Sequence, residues 1–383
     1  MDGSAVERLL AVERRRKGES VESICASLKR SRSWFYKWLG RADEGQPGWF
    51  EEQSRQRHNS GACEAELQRR VVETRERLEA EGCFVSAAMI AWELEAEEIQ
   101  PPSIATIKRI VKNAGLTTPK RRSPKGIKYP APLAIDPGSV HQVDFVGPRH
   151  VNRTRFYSLN AVDVSSARAA VEPIHSRATE QVIPGLWNIW TRLGIPTFLQ
   201  LDNELVFFGN RRYPRALGQV MRLCFDVGVE LVFIPVREPW RNSIVEKFND
   251  HWNKKFYRRI DVPSFEALRS ESLKFEGKHN STWRYSKLQG RTPNRALNES
   301  TTKLRFPSRP TPPSMPFQRP TRGRVSFIRF VRSDRQLEIF GQRFPMPPEA
   351  THEYVRATID VETQQMTVAL HGDTIQTQFY SLE

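Results

Sequence analysis

Three carboxylates between residues 139 and 258 sit in three different local settings, and together they restrict the folds open to this chain. Asp144 lies in Val140-His141-Gln142-Val143-Asp144-Phe145-Val146, an apolar-flanked run that reads as a strand. Asp202 ends a second such run, Thr197-Phe198-Leu199-Gln200-Leu201-Asp202. Glu246 falls in Asn242-Ser243-Ile244-Val245-Glu246-Lys247-Phe248-Asn249, which reads as the start of a helix. Two acids on strands and one on a helix can converge on one point in an α/β core. A small set of oxygen donors with room left for water and phosphate is what hard divalent cations take. Two such cations can clamp the attacking and leaving oxygens of an in-line displacement at phosphorus.

Further residues fit the same pattern. Val162-Asp163 is followed by Ser165-Ser166, Asp202 by Asn203, and Pro239-Trp240-Arg241-Asn242 precedes Glu246. Tyr285-Ser286-Lys287-Leu288-Gln289-Gly290-Arg291-Thr292-Pro293 comes later. With these neighbours, Asp144, Asp202 and Glu246 resemble the DDE triad of the retroviral-integrase and bacterial insertion-sequence transposase superfamily, over about residues 136–298. Two departures stand out. Glu204 occupies a position where that family usually has Gly, and the 44 positions from Asp202 to Glu246 exceed its usual spacing. A longer loop and helix over 210–227 absorbs the extra length at little cost. Glu204 puts negative charge beside a phosphate-binding site, where it would weaken DNA binding, add a metal ligand, or point away.

The charge agrees with a polyanionic partner. The net charge is +15 and the pI about 9.9, which favours phosphate contacts and counterion release. Cys25, Cys63, Cys83 and Cys224 are scattered without a CxxC, which suits a reducing cytosol and supports no zinc module. No apolar run reaches membrane-spanning length, and acidic residues interrupt the first ten positions where a signal peptide would lie. The expected location is cytoplasmic, in a bacterial cell, with the nucleoid when bound to DNA.

Residues 1–45 read as a helix-turn-helix domain. Val6, Leu9 and Leu10 mark a first amphipathic helix, and Ser20 caps a second over 21–28. A third helix opens at Ser31-Arg32-Ser33, with Trp34, Phe35 and Trp38 as core and Arg32, Ser33 and Lys37 toward a major groove. Residues 43–62 are a linker. A second helix-turn-helix domain is expected over 62–117. Its last helix, 104–114, is capped by Ser103, stopped by Gly115, and carries Lys108, Arg109 and Lys112. Residues 118–135 form a basic connector whose Lys120, Arg121 and Arg122 would track phosphates.

The catalytic core is expected over 136–300. The strand carrying Asp144 comes first, followed by strands over 155–163 and 168–173. A helix over 179–193 comes next, then a strand ending at Asp202, a helix over 217–227 and a strand over 230–235. The Glu246 helix runs from 243 to about 258, with Glu246, Asn249 and Asn253 on one face and Lys247, Lys254 and Arg258 toward DNA phosphates. By resemblance this order is an α/β ribonuclease-H-like fold. Asp163 reads as a structural strand-end residue rather than a ligand. Trp283 and Tyr285 anchor a closing helical segment. A Pro-rich basic linker over 301–322 leads to short alternating strands over 323–383, read as a small C-terminal β-barrel. Arg356 is the sole cation from Met346 onward, so that half suits protein contact better than DNA.

The resemblance implies a DNA transposase, a metal-dependent polynucleotidyl transferase. It would use two Mg2+ or Mn2+ ions per active site, held by Asp144, Asp202 and Glu246, and no nucleotide cofactor. It would cut at element ends to free a 3'-OH and join that end to target DNA. Its expected partners are element terminal repeats, target DNA, and further copies of the chain assembled on DNA, with no membrane. Two alternatives stay open: a catalytically silent transposase-derived DNA-binding regulator, and a ribonuclease-H-like nuclease that hydrolyses without joining.

Overall fold

Serine hydroxyls start most of the N-terminal helices. In this computed structural model the described residues are 3–45, 47–52, 63–83, 85–117, 129–132, 134–209 and 215–382. They fall into two units, Met1–Cys63 and Glu64–Glu383. In the first, α1 (Gly3–Arg16), α2 (Val21–Leu28) and α3 (Arg32–Asp43) enclose Ala11, Val21, Ile24 and Phe35. Ser20 accepts from Ser23 N and Ser31 from Trp34 N, so each hydroxyl satisfies a free helix-start donor. Trp38 is fully buried, with the Arg8 guanidinium 4.1 Å from its ring centroid.

The second unit opens with α4 (Ala65–Ala80), α5 (Ala87–Ala96) and α6 (Ile104–Asn113), capped at α5 by Ser86 and at α6 by Ser103. It then builds one nine-stranded sheet. The first five strands are β1 (Val140–Val151), β2 (Thr154–Asp163), β3 (Ala169–Ile174), β4 (Phe198–Leu201) and β5 (Glu230–Phe233), in the order 3-2-1-4-5. Strands β1, β2 and β3 are antiparallel neighbours, and β4 and β5 add parallel to β1. This is the ribonuclease-H-like order. Helices α7 (Thr179–Leu193), α8 (Leu205–Phe208) and α9 (Gln219–Asp226) cover one face. Helices α10 (Ser243–His251), α11 (Phe265–Ser281) and α12 (Pro293–Asn298) belong to the other side. The free edge of β3 is closed by side chains of α11. Asn280 donates to Ala169 O and accepts from Ala169 N, while Glu276 accepts from Val171 N. An edge blunted in this way cannot recruit a foreign strand.

The helix carrying Glu246 is shorter than its sequence pattern suggests. The α-helical part ends at His251, and Trp252–Tyr257 forms a π-helical turn. A π turn aligns residues five apart, and Trp252 accordingly stacks on Tyr257 with centroids 5.3 Å apart and planes 9° from parallel. The helix expected over 217–227 spans Gln219–Asp226.

The C-terminal strands continue the sheet. They are β6 (Arg324–Phe330), β7 (Gln336–Ile339), β8 (Gln342–Pro345), β9 (Tyr354–Asp360), β10 (Gln365–Leu370) and β11 (Asp373–Phe379). β6 pairs parallel with β5, and β9, β10 and β11 follow outward, while β7 and β8 form a separate hairpin. Among the described residues these pairings extend the core sheet and none closes the strands into a barrel. One hydrophobic cluster joins them to the core: Phe327 stacks on Phe233 at 5.2 Å, and both are buried with Val355, Ile359 and Met366.

Candidate active site

Parallel register brings the first two acids side by side. Gln142 of β1 pairs with Gln200 of β4, and Asp144 and Asp202 each lie two residues further along, on the same face as those glutamines. Strand ends in a parallel sheet are where such sheets present their ligands. Helix α10 is held to that face by amides. Gln142 Oε1 accepts from Ile244 N (3.1 Å) and Val245 N (3.2 Å), two free donors of the helix start. Asn242 Nδ2 donates to Val143 O (3.1 Å), and Gln200 Nε2 donates to Arg241 O (3.0 Å). Glu246, in the first turn of α10, is thereby fixed beside the two strands.

Asp144 has its own orienting chain. Its Oδ2 accepts from Asn249 Nδ2 (2.8 Å), whose Oδ1 accepts from Asn160 Nδ2 (2.8 Å), whose Oδ1 accepts from the Ser158 hydroxyl (2.6 Å). Its Oδ1 accepts from Phe145 N (2.8 Å). Asn160 is the strand partner of Asp144, so β2 and α10 aim one carboxylate together. Asn249 is on the helix face that its spacing from Glu246 predicts. What sequence reading missed were the amides Gln142, Gln200, Asn242 and Asn160, since nothing in their local pattern separates a bracing amide from an ordinary strand residue.

Burial is the first cause acting on all three carboxylates. Burial, then the Asp202 charge, then Glu246 and Glu204 push the Asp144 carboxyl up to about 7. Burial and Glu204 push Asp202 up to about 6, and burial raises Glu246. Burial, with like charge beside Asp144 and Asp202, marks a site short of positive charge. The donor set, all carboxylate oxygen, fits a hard divalent cation. As the side chains stand, no three His, Cys, Asp or Glu among the described residues are drawn close enough to hold an ion.

Glu204 is accounted for. Its carboxylate forms an ion pair with Arg177 (2.6 Å), and its N donates to Asp202 Oδ1 (3.1 Å). With φ −66° it needs none of the conformational freedom of Gly. Asp163 is buried at the end of β2 and accepts from Gly138 N, Ser165 N and the Ser166 hydroxyl, which is a structural role. A cleft of about 580 Å³ opens beside Asn203, with Glu238, Arg329, Glu338 and Arg343 among its lining residues. Both signs of charge line it.

The cations expected to meet DNA divide by partner. Lys108, Arg109 and Lys112 lie on the exposed face of α6, opposite buried Ile107, Ile110 and Val111. Arg32 is exposed and paired with Glu22 at 2.7 Å, Ser33 with the Ser31 hydroxyl, and Lys37 lies over Trp38. Lys247 and Arg258 are exposed, while Lys254 is paired with Asp250 at 2.8 Å. Lys120, Arg121 and Arg122 lie outside the described residues. No helix among the described residues is long and apolar enough to cross a membrane.

Residues 2–50 match a homeodomain-like helix-turn-helix family. No curated protein matches the chain. Among solved structures, the human T-lymphotropic virus 2 (HTLV-2) integrase catalytic core domain in complex with magnesium is similar at 16% identity and TM-score 0.34, over 43% of this chain and 99% of that one. A chain of a simian T-cell lymphotropic virus intasome in complex with PP2A regulatory subunit B56 gamma is similar at 13% identity and TM-score 0.39, over 81% and 96%. The bovine immunodeficiency virus (BIV) integrase core domain gives 16% identity and TM-score 0.32, over 42% and 95%.

Proposed function

We propose that this chain is a DDE-type DNA transposase that cuts element ends to free a 3'-OH and joins that end to target DNA. The observation that carries the proposal is the set of buried acids on neighbouring parallel strands, Asp144 within β1 and Asp202 just past the end of β4, with Glu246 on the helix braced against them. Asp144 and Asp202 would share two Mg2+ or Mn2+ ions, and Glu246 would complete the coordination of one. Bound there, the metals would neutralise charge at phosphorus and activate the attacking oxygen. Asn249 and Phe145 N hold the Asp144 oxygens in one orientation, and Gln142 and Asn242 hold Glu246 in reach. Pairing with Arg177 reduces the repulsion that Glu204 would otherwise direct at a DNA phosphate. The homeodomain-like unit and the exposed face of α6 would read element ends at two places, in a homo-oligomer assembled on DNA in a bacterial cytoplasm. Residues 118–135 and 301–322 would serve as basic linkers between the DNA-reading domains, the core and the C-terminal strands.

The test is strand cleavage and joining on a labelled duplex carrying the repeats that flank the gene, with Mg2+ or Mn2+ and a target plasmid. Metal-dependent 3' nicking and joining should appear with the wild type and vanish in Asp144→Ala, Asp202→Ala and Glu246→Gln while DNA binding survives. Full activity in any of the three would remove the metal assignment. Nicking without joining would mean a nuclease, and binding without cleavage a regulator.

A further inference from the structure

The C-terminal strands touch both loops that frame the candidate metal centre. Arg329 of β6, half-buried, donates from Nη2 to Asn203 Oδ1 (2.9 Å) and from Nη1 to Ile234 O (3.0 Å). Asn203 Nδ2 donates to the same Ile234 carbonyl (2.7 Å). The residue directly after Asp202 is thus pinned to the end of β5 through an arginine from β6. On the second loop, the Tyr354 hydroxyl of β9 donates to Glu238 at 2.9 and 2.7 Å, and Arg241 Nε donates to Glu238 at 3.0 Å. The Arg241 guanidinium lies 4.2 Å from the Tyr129 ring centroid and 4.6 Å from that of Tyr354. Arg241 O receives Gln200, two residues before Asp202, and Asn242 grips Val143, one residue before Asp144.

We propose that β6 and β9 are a positioning element of the metal centre, acting on Asp202 through Arg329 and Asn203, and on Glu246 through Tyr354, Glu238 and Arg241. The inference rests on the two-metal reading and goes beyond it by giving the C-terminal strands a share in the chemistry. Residues that hold metal ligands from outside the ligand set tune metal affinity as well as rate. A purely structural Arg329 would need only Ile234 O to tie β6 to β5. The bond to Asn203 and the separate grip of Tyr354 on the Glu246 side are what a positioning role requires, because both reach toward the acids from one strand pair.

The experiment uses the full chain as wild type, Arg329→Met, Arg329→Lys, Tyr354→Phe and Asp144→Asn. It reads Mn2+ affinity by calorimetric titration, together with duplex affinity, thermal midpoint and metal-dependent cleavage. Arg329→Met should weaken Mn2+ binding about tenfold, the low end for a residue supporting metal ligands. Arg329→Lys, which cannot span both acceptors, should recover part of that, and Tyr354→Phe, which keeps the ring and loses one hydroxyl, should weaken it about threefold. Duplex affinity should stay unchanged throughout. Wild-type Mn2+ affinity in both Arg329→Met and Tyr354→Phe would overturn the positioning role and leave the metal reading intact. No Mn2+ binding by the wild type, matching Asp144→Asn, would overturn both. If Arg329→Met does not fold, Tyr354→Phe decides: weakened Mn2+ binding supports the role and wild-type affinity overturns it.

Discussion

The two faces of the central sheet are built from different materials. Beneath α7 and α9 the filling is largely hydrocarbon, with Leu186, Trp190, Leu223, Phe225 and Phe233 almost completely buried. Beneath α10 and α11 the hydrocarbon of Val146, Phe156, Val245 and Trp252 is interrupted by Gln142, Asn160, Gln200, Asn242, His251 and His279. A buried amide or imidazole contributes less than a packed side chain and costs heavily when left unpaired. The first face is therefore where stability should reside, and the second is where geometry is specified.

The sharpest way to break that comparison is to open a cavity on the hydrocarbon face. Trp190→Ala should cost about 3–5 kcal/mol of folding stability, read as a lower urea midpoint. Cleavage per folded molecule should stay at the wild-type level. A specific loss of cleavage in the folded fraction would mean that the two faces are coupled.

Acid should attack the other face. Burial holds His279 down at about 4, and burial, then the neighbouring His279, holds His251 at about 3. Both lie below the unfolded value of about 6.5, so each ring is neutral when folded, and the unfolded chain takes up protons first as pH falls. Their contribution is intact above about pH 6.5 and is lost progressively below it. Between pH 7 and pH 5 each should cost about 2 kcal/mol. The measurement is the difference in acid dependence between wild type and His251→Phe/His279→Phe; equal slopes would refute it. Taking the difference cancels the opposing titration of Asp144.

That opposing titration gives a smaller effect of the other sign. The Asp144 carboxyl is raised to about 7, so its ionisation works against the fold, most at pH 8 and not at all below about pH 4. In metal-free protein, Asp144→Asn should gain on the order of 1–3 kcal/mol at pH 8, the gain vanishing as pH approaches 4. A lower melting point at pH 8 would mean that hydrogen bonds of the carboxylate, such as that from Asn249, outweigh the repulsion.

How far the sequence could be read follows from the same contrast. The succession of strands and helices was legible because each strand is an apolar run and each helix a periodic one, while the order of the strands in the sheet was what the resemblance implied. The helix caps at Ser20 and Ser103 were legible because one hydroxyl and a local donor suffice. Partners far apart in sequence were not legible. Gln142 meets Ile244 across 102 positions and Arg329 meets Asn203 across 126, and local pattern carries no trace of either. The sheet's continuation into β6 escaped notice for a related reason. The stretch 301–322 reads as a linker, while the Phe233–Phe327 stack that joins the strands on either side of it is a tertiary contact.

Glu204 offers the finest test, because it sits where polar specification meets DNA binding. Its backbone is in an ordinary extended conformation, so Glu204→Gly relieves no strain and adds chain freedom in the unfolded state, costing about 0.5–1 kcal/mol. Its carboxylate currently occupies Arg177, which also lies 5.2 Å from the Tyr157 ring centroid on the approach to Asp202. Removing the carboxylate frees that guanidinium for a phosphate and takes away the charge that raises Asp202. Duplex affinity should then rise about threefold at moderate salt, and the slope of log affinity against log salt should steepen by about 0.9, the increment for one added phosphate contact. Titrations at several salt concentrations separate the two terms. An unchanged slope with tighter binding would mean that only local repulsion was relieved, and Arg177→Gln in the Glu204→Gly background should then have no effect. A steeper slope that Arg177→Gln abolishes would identify Glu204 as the residue that keeps Arg177 off the DNA.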